Sequence, residues 1–379
     1  MRPPARNRDR VGLRALLLAI SALSVSLPAP FVRCQPVPRT SLVGQVVDAS
    51  TGQPVPYVNV YVAGSTLGSA TDEKGNFVIQ GIPVGVHEVV ASHIAFSAYA
   101  SRIRFREGED RTLKISLEPR AVELGEVEVI SEDPTEWRKD LATFKRLFLG
   151  STRNASFCTI RNPEVLDFPG DGSDNFSAVC RGPLIFENKA LGYAIEYVFD
   201  TFSFDGTYIR VSAKPRFAEL EPASEQEKKF WDRNRLRAYK GSQRHFLVSL
   251  VRGRLLEVGF RVLEVEALGT MPRLEEHSIV DWESIVSPGT RTYEATVHFH
   301  NFLEVEYVHE DVETGYDLLR RGQSDRQTSW IKLNGAWITV SAEGDIREPF
   351  PLTVFGYWAW ERAADALPTD YVPPADEEN

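Results

Sequence analysis

The chain opens on an Arg-rich stretch, Arg2 to Arg14, followed by an apolar run over residues 15–27 that stops at Pro28. This order of basic, then apolar residues predicts a secretory signal peptide over residues 1–34, because the run is too short to span a hydrocarbon core of about 30 Å. From residue 41 the pattern becomes short apolar runs cut by Gly, Pro, Asp and Asn: 42–47, 58–62, 77–79, 86–92, 101–105 and 112–117. Val58, Val60 and Val62 alternate with Asn59 and Tyr61. Roughly seven short strands at this spacing predict an antiparallel β-sandwich over 41–118.

After a linker at 119–133, residues 134–368 change character. Trp137, Leu141, Phe144, Leu147 and Phe148 recur at helical spacing and predict a helix ending near Gly150. Strands are expected at 156–160, 176–180, 183–188, 192–199 and 208–213. Ser224 with Glu227 forms a capping box that starts a helix running to Tyr239. Ser242 starts another, with Phe246, Leu247, Leu250, Val251 and Leu255 on one face. A strand from Tyr293 to Val308 follows, then strands at 329–333 and 336–340 joined by Asn334-Gly335, a two-residue hairpin signal. Residues 356–368 read as a short amphipathic helix, and 369–379 as a disordered tail. A sub-boundary is expected near 270–290. The fold class is β-rich α+β: an N-terminal antiparallel sandwich, then a mixed, mainly antiparallel α+β region.

Composition narrows the function. With 379 residues, 42% hydrophobic and 25% charged, the chain is long enough for two or three domains and unlike a disordered or coiled-coil protein. Three cysteines exclude a small disulfide scaffold. The net charge of −10 falls to about −15 once residues 1–34, with six Arg and one Asp, are removed. That argues against nucleic-acid binding, which needs a basic footprint. No later run approaches the roughly 18 apolar residues of a membrane-spanning helix.

The segments Val43-Gly44-Gln45-Val46-Val47-Asp48, Thr51-Gly52-Gln53-Pro54, Ala70-Thr71-Asp72-Glu73-Lys74-Gly75-Asn76-Phe77 and Gly81-Ile82-Pro83-Val84-Gly85 resemble the carboxypeptidase-regulatory-like domain. The resemblance implies a transthyretin-like (Ig-like) sandwich, appended elsewhere to metallocarboxypeptidases and to TonB-dependent receptors, with no peptidase chemistry of its own. Residues 117–130 resemble the stretch after this module in those receptors. The 249 residues after Ile130 are too few for a plug and a large barrel, so a linker strand is expected instead. Further on, Asn162-Pro163-Glu164, Leu191-Gly192-Tyr193, Trp231-Asp232-Arg233-Asn234-Arg235, Tyr239-Lys240-Gly241-Ser242 and Gly356-Tyr357-Trp358 resemble bacterial envelope proteins that carry the same module. That likeness implies an architecture and no assigned activity.

Candidate chemistry is sparse. His298 and His300, two apart, would share a strand face with Glu304 and Glu306, which is zinc vocabulary as well as the solvent side of a half-buried strand. Ser242 and His245 suggest a nucleophile and base, or more simply a helix N-cap. Arg233, Arg235 and Arg237 form a basic helix in an acidic protein, suited to a partner or to surface ion pairs. Cys158 and Cys180 are a disulfide candidate in an oxidising compartment, with buried thiols as the alternative. Cys34 reads as a lipidation site only weakly, since Arg33 precedes it. Asp72 and Gly75 read as a turn rather than a calcium loop. No Walker loop, zincin helix or nucleophile elbow occurs, so no catalytic residue and no cofactor is expected. The leading expectation is an exported, non-enzymatic protein of the periplasm or outer-membrane periphery that binds a protein or glycan of the envelope. The rivals are an envelope hydrolase using His245, His298 or His300, and a periplasmic accessory of an outer-membrane receptor.

Overall fold

Seven strands arise from the alternating segment: β1 (Arg39–Asp48), β2 (Asn59–Val62), β3 (Gly68–Ala70), β4 (Asn76–Pro83), β5 (Gly85–Ser92), β6 (Tyr99–Phe105) and β7 (Arg111–Leu117). The computed structural model describes residues 35–120, 134–169, 175–266, 280–317, 325–348 and 351–374; the expected signal peptide, most of the expected linker and much of the 270–290 stretch lie outside them. The strands form two sheets, ordered β4-β1-β7 and β3-β2-β5-β6. Leu42, Val46, Phe77, Ile79 and Ile115 of the first face Val60, Val62, Val89, Ala91 and Phe105 of the second across one core. The pairing is not antiparallel throughout, because β1 and β7 run parallel. They are joined by a crossover through the second sheet, the kind of connection a parallel pair needs. Asp72 accepts the backbone N–H groups of Lys74 and Asn76, as the turn reading expected.

The next segment opens on α1 (Pro134–Phe148) and builds a sheet of β8 (Cys158–Ile160), β9 (Leu166–Asp167), β10 (Phe176–Cys180), β11 (Leu184–Asn188), β12 (Tyr193–Phe204) and β13 (Ile209–Glu219). The long β12 pairs with β13 along one edge; on its other edge β11 occupies the first half and β10 the second. Phe144 and Phe148 of α1 pack onto this sheet, with Phe144–Phe202 and Phe148–Tyr197 ring centroids 4.9 and 5.1 Å apart. This geometry corrects the disulfide expectation. Cys158 sits level with Tyr193 of β12, two strands across, whereas Cys180 lies beside the far half of β12. The seven or so residues between those levels amount to roughly 20 Å at about 3.3 Å per residue, far beyond the reach of a disulfide. Both thiols are free and half-buried, and burial pushes each up to about 12.

Two helices then lead into a second sandwich: α2 (Glu225–Tyr239) and α3 (Gln243–Val251). Ser224 caps α2 by accepting the N–H of Glu227, and Ser242 caps α3 by accepting that of His245. After them come β14 (Phe260–Val265), α4 (Trp282–Ile285), β15 (Val286–Pro288), β16 (Glu294–Val297), β17 (Phe302–Asp311), α5 (Thr314–Asp317), β18 (Arg326–Leu333), β19 (Ile338–Ser341), β20 (Leu352–Gly356) and α6 (Tyr357–Trp360). The sheets are β14-β17-β18-β20 and β15-β16-β19, and α3 seals the core between them with Phe246, Leu250 and Val251. Four expectations change here. The strand from Tyr293 to Val308 is broken at 298–301, so β16 and β17 belong to different sheets. The Asn334-Gly335 hairpin does not form: β18 is flanked by β17 and β20, and β19 pairs with β16. Residues 356–368 hold only the single turn α6 and a 3-10 turn at Ala363–Asp365. Residues on both sides of 270–290 feed one core, so no division falls there.

The module is docked onto this body. The turn after β2 reaches β13, with Gly64 N–H donating to Pro215 O at 2.7 Å and Phe217 N–H to Ser65 O at 3.1 Å. Tyr61, pointing away from the module's own core, is fully buried, and its hydroxyl donates to Lys214 O. Val37, in the segment leading into β1, and Val84 of the module pack with Tyr293 and Ala342. The expected disordered tail is ordered through its first residues: Thr369 N–H donates to Gly64 O, and Asp370 accepts from the N–H and hydroxyl of Thr66. Among the described residues no helix is long and apolar enough to cross a membrane.

Candidate functional site

Helix α2 carries the three arginines singled out above, and its 3.6-residue period separates them. Residues two apart lie on nearly opposite faces and residues four apart on the same face. Arg233 and Arg237 are accordingly exposed, while Arg235 turns inward. Arg235 donates to Leu191 O at 2.7 Å, Gly192 O at 3.3 Å and the Glu219 carboxylate at 3.0 Å, and its guanidinium lies 4.1 Å from the Tyr193 ring centre. Trp231 donates to Lys189 O and Asn234 to Ala190 O. The helix is thus riveted to the turn between β11 and β12, and Arg235 is part of the rivet rather than a free basic face.

Arg235 also floors the first cavity, about 410 Å³, where module, α2 and the C-terminal segment meet. Thr66, Tyr193, Glu219, Asp232, Asp370 and Tyr371 line it. Asp370 is held by Thr66, and the Tyr371 ring lies 6.0 Å from that of Tyr239. Burial raises the Tyr371 hydroxyl to about 12 and Tyr193 higher still, so both phenols stay protonated donors.

Arg237 faces a second cavity of about 340 Å³. Its wall holds five carboxyl groups, Glu310, Asp311, Glu313, Glu361 and Asp365, with Arg237 as the lone cation among the lining residues. The pairing of β17 with β18 slips between Tyr307 and Asp311, an irregularity of the sort that re-aims side chains, and Glu310 lies within it. Asp311 pairs with Arg326 at 3.0 Å, Glu313 accepts the backbone N–H of Arg153 at 2.8 Å, and Glu310 accepts from Gln327 at 3.3 Å. Asp365 accepts from Asn154 at 2.9 Å through Oδ1, but its Oδ2 is buried without a partner. Burial raises Asp365 to about 6, against the smaller pull of Thr152 and Asn154. Burial, reinforced by Asp365, Glu313 and Glu310, raises Glu361 well above the usual carboxyl range. A cavity with displaced carboxyl pKa values is where a functional site is sought first.

The other candidates do not converge. His298 and His300 stand exposed in the link between β16 and β17, with Phe299 buried between them. Glu304 accepts the indole N–H of Trp330, and Glu306 pairs with Arg261. Among the described residues, no three His, Cys, Asp or Glu side chains gather to hold a metal ion. His245 is buried, its Nδ1 accepts the N–H of Gly241, and burial lowers it to about 4. With Ser242 occupied as the N-cap, this pair is a helix start and not a nucleophile and base. The carboxyl cavity has one sequence signal, the run Glu310-Asp311-Val312-Glu313, and its closing members Glu361 and Asp365 lie some fifty residues on.

Comparison with known proteins identifies the N-terminal part. The CarboxypepD_reg-like domain family matches residues 42–129, running into the segment expected as a linker. No curated protein matches the chain. Among solved structures, it is similar to a type II cohesin–X-dockerin complex of Acetivibrio cellulolyticus (17% identity, 21% of this chain, 56% of that one, TM-score 0.18). It is also similar to a 3-chlorocatechol 1,2-dioxygenase of Rhodococcus opacus (13% identity, 22% and 62%, TM-score 0.18). A DUF3823 family protein of Parabacteroides merdae matches at 10% identity over 48% of this chain and 82% of that one, TM-score 0.18. The chain therefore spans less than two thirds of the first two.

Proposed function

We propose that the protein is an exported, non-enzymatic component of the cell envelope that binds a glycan in the 410 Å³ cleft between its module and its larger region. The observation that carries this reading is the lining of that cleft. Carboxylates of Glu219, Asp232 and Asp370, hydroxyls of Tyr193 and Tyr371, and the Arg235 guanidinium surround a space of ligand size. Carboxylates accept from sugar hydroxyls, phenols donate to them, and Tyr371 adds a ring edge. A protein partner suits a broad surface with an apolar centre better than a recessed polar cleft. The Arg-rich, apolar start supports export.

The test is a glycan array of envelope polysaccharide fragments, followed by calorimetry on the best ligand with product analysis of the same mixture. The expected result is saturable binding, weakened about tenfold or more by Asp232→Ala or Tyr371→Ala, with the glycan recovered intact. No binding across the array, or cleavage products in the mixture, would overturn it.

A further inference from the structure

We infer that the outward face of α1 is a docking surface for a bilayer that bears anionic headgroups. Phe144 and Phe148 fix the inward side of this helix, and the opposite side carries Arg138, Lys139, Lys145 and Arg146, all exposed. At 3.6 residues per turn the four fall into two columns, Arg138 with Lys145 and Lys139 with Arg146, about 100° apart and each about 10 Å long. The exposed Ala142 lies between the columns. Among the described residues no carboxylate forms an ion pair with any of the four. Exposed arginines elsewhere are answered: Arg111 by Glu109, Arg161 by Glu187 and Arg210 by Asp205.

The helix alone does not call for this pattern. Lys145 and Arg146 suit the negative end of the helix dipole, but Arg138 and Lys139 lie towards its positive end, where a cation gains nothing. On α2, by contrast, Glu225, Glu227 and Asp232 interleave with the basic residues, and Arg235 turns inward. The shape of the strip fixes the class of partner. None of the four cations lines either cavity described above, and a small anion on this convex face would meet only one column. Nucleic acids and acidic glycans are gripped by stacking or hydrogen-bonding groups as well as by charge, and Ala142 between the columns supplies neither. An anionic bilayer is a plane, so both columns reach headgroups at once and each cation adds to the attraction. The whole chain is acidic, at −10, yet screening confines that repulsion to about 8 Å at physiological ionic strength. A helix face laid on the bilayer is therefore governed by its own charges.

Co-sedimentation with vesicles tests this. The chain is used from Gln35 onward, because the Arg-rich start would itself be drawn to anionic lipid; the three main cores are built wholly from later residues. Binding to vesicles of equimolar phosphatidylglycerol and phosphatidylcholine is expected, with none to phosphatidylcholine alone and with loss at high salt. Arg138→Gln together with Lys139→Gln should weaken it at least tenfold, at roughly fivefold per cation. Lys228→Gln together with Lys229→Gln removes the same charge from α2 and should leave binding nearly unchanged. All four substituted residues are exposed, so the variants keep the fold. Equal weakening by the two pairs would mean that binding follows net charge, and would overturn the proposal. So would equal binding to the neutral vesicles, no binding to the anionic ones, or capture by soluble polygalacturonate in preference to vesicles. None of these results depends on glycan binding at the first cleft.

Discussion

A carboxyl group with one oxygen satisfied and the other enclosed is a poor place for negative charge, and Asp365 is in that position. Its raised value, about 6, follows from burial, with Glu313 adding repulsion and Thr152 and Asn154 only partly offsetting both. The folded chain therefore holds this proton more tightly than the unfolded chain. Its contribution to stability is complete below about pH 4 and is lost as pH climbs through 6, a difference on the order of 3 kcal/mol. Asp365→Asn keeps the acceptor for Asn154 and removes the titration. In thermal melts between pH 4 and 7, the variant should gain stability over the native chain steadily as pH rises. Parallel curves would show that the enclosed oxygen carries no such penalty.

At the level of elements, the contact between α2 and the turn joining β11 to β12 organises both cavities, and two glycines measure it. Gly192 has a φ of +71°, and a Cβ there would lie 2.3 Å from the Trp231 ring. Gly206, between β12 and β13, has a φ of +86° and open space around it. Gly206→Ala should cost about 1 kcal/mol, the conformational penalty alone. Gly192→Ala should cost about 2–3 kcal/mol more, because α2 must shift; denaturant melts giving equal costs would refute the clash. Elements of this local kind were legible: the periodic apolar positions of α1, the caps Ser224 and Ser242, and the strands of the module. Pairing was not. Asn334-Gly335 has the local chemistry of a tight hairpin, yet β18 finds better-matched edges in β17 and β20. The alternation His298-Phe299-His300 survives a break between sheets because Phe299 stays buried while both imidazoles face solvent. For the same reason only Arg235 and Arg237 of the cavity residues were visible as candidates. The carboxyl groups meet through contacts between residues about fifty positions apart, and no local pattern encodes that.

On the scale of the whole molecule, the question is whether the module is an appendage or a wall of the body. Tyr61 answers from the buried side: a residue facing away from its own core is dry only because β13 covers it. The C-terminal segment answers from the other side. Thr369 and Asp370 grip Gly64 and Thr66 of the module, while Arg244 of α3 donates to Pro368 O at 3.1 Å. One short stretch thus ties the module's turn to the helical layer and lines the 410 Å³ cleft at the same time. Thr66 and Asp370 are joined by two hydrogen bonds and act as one unit. Thr66→Val and Asp370→Ala should each lower stability by about 1–2 kcal/mol, and the double variant should be little worse than either single one. Amide exchange at Thr66 should speed up in Asp370→Ala. Additive losses in the cycle, with exchange at Thr66 unchanged, would mean that the module is held by β13 alone and the C-terminal segment merely rests against it.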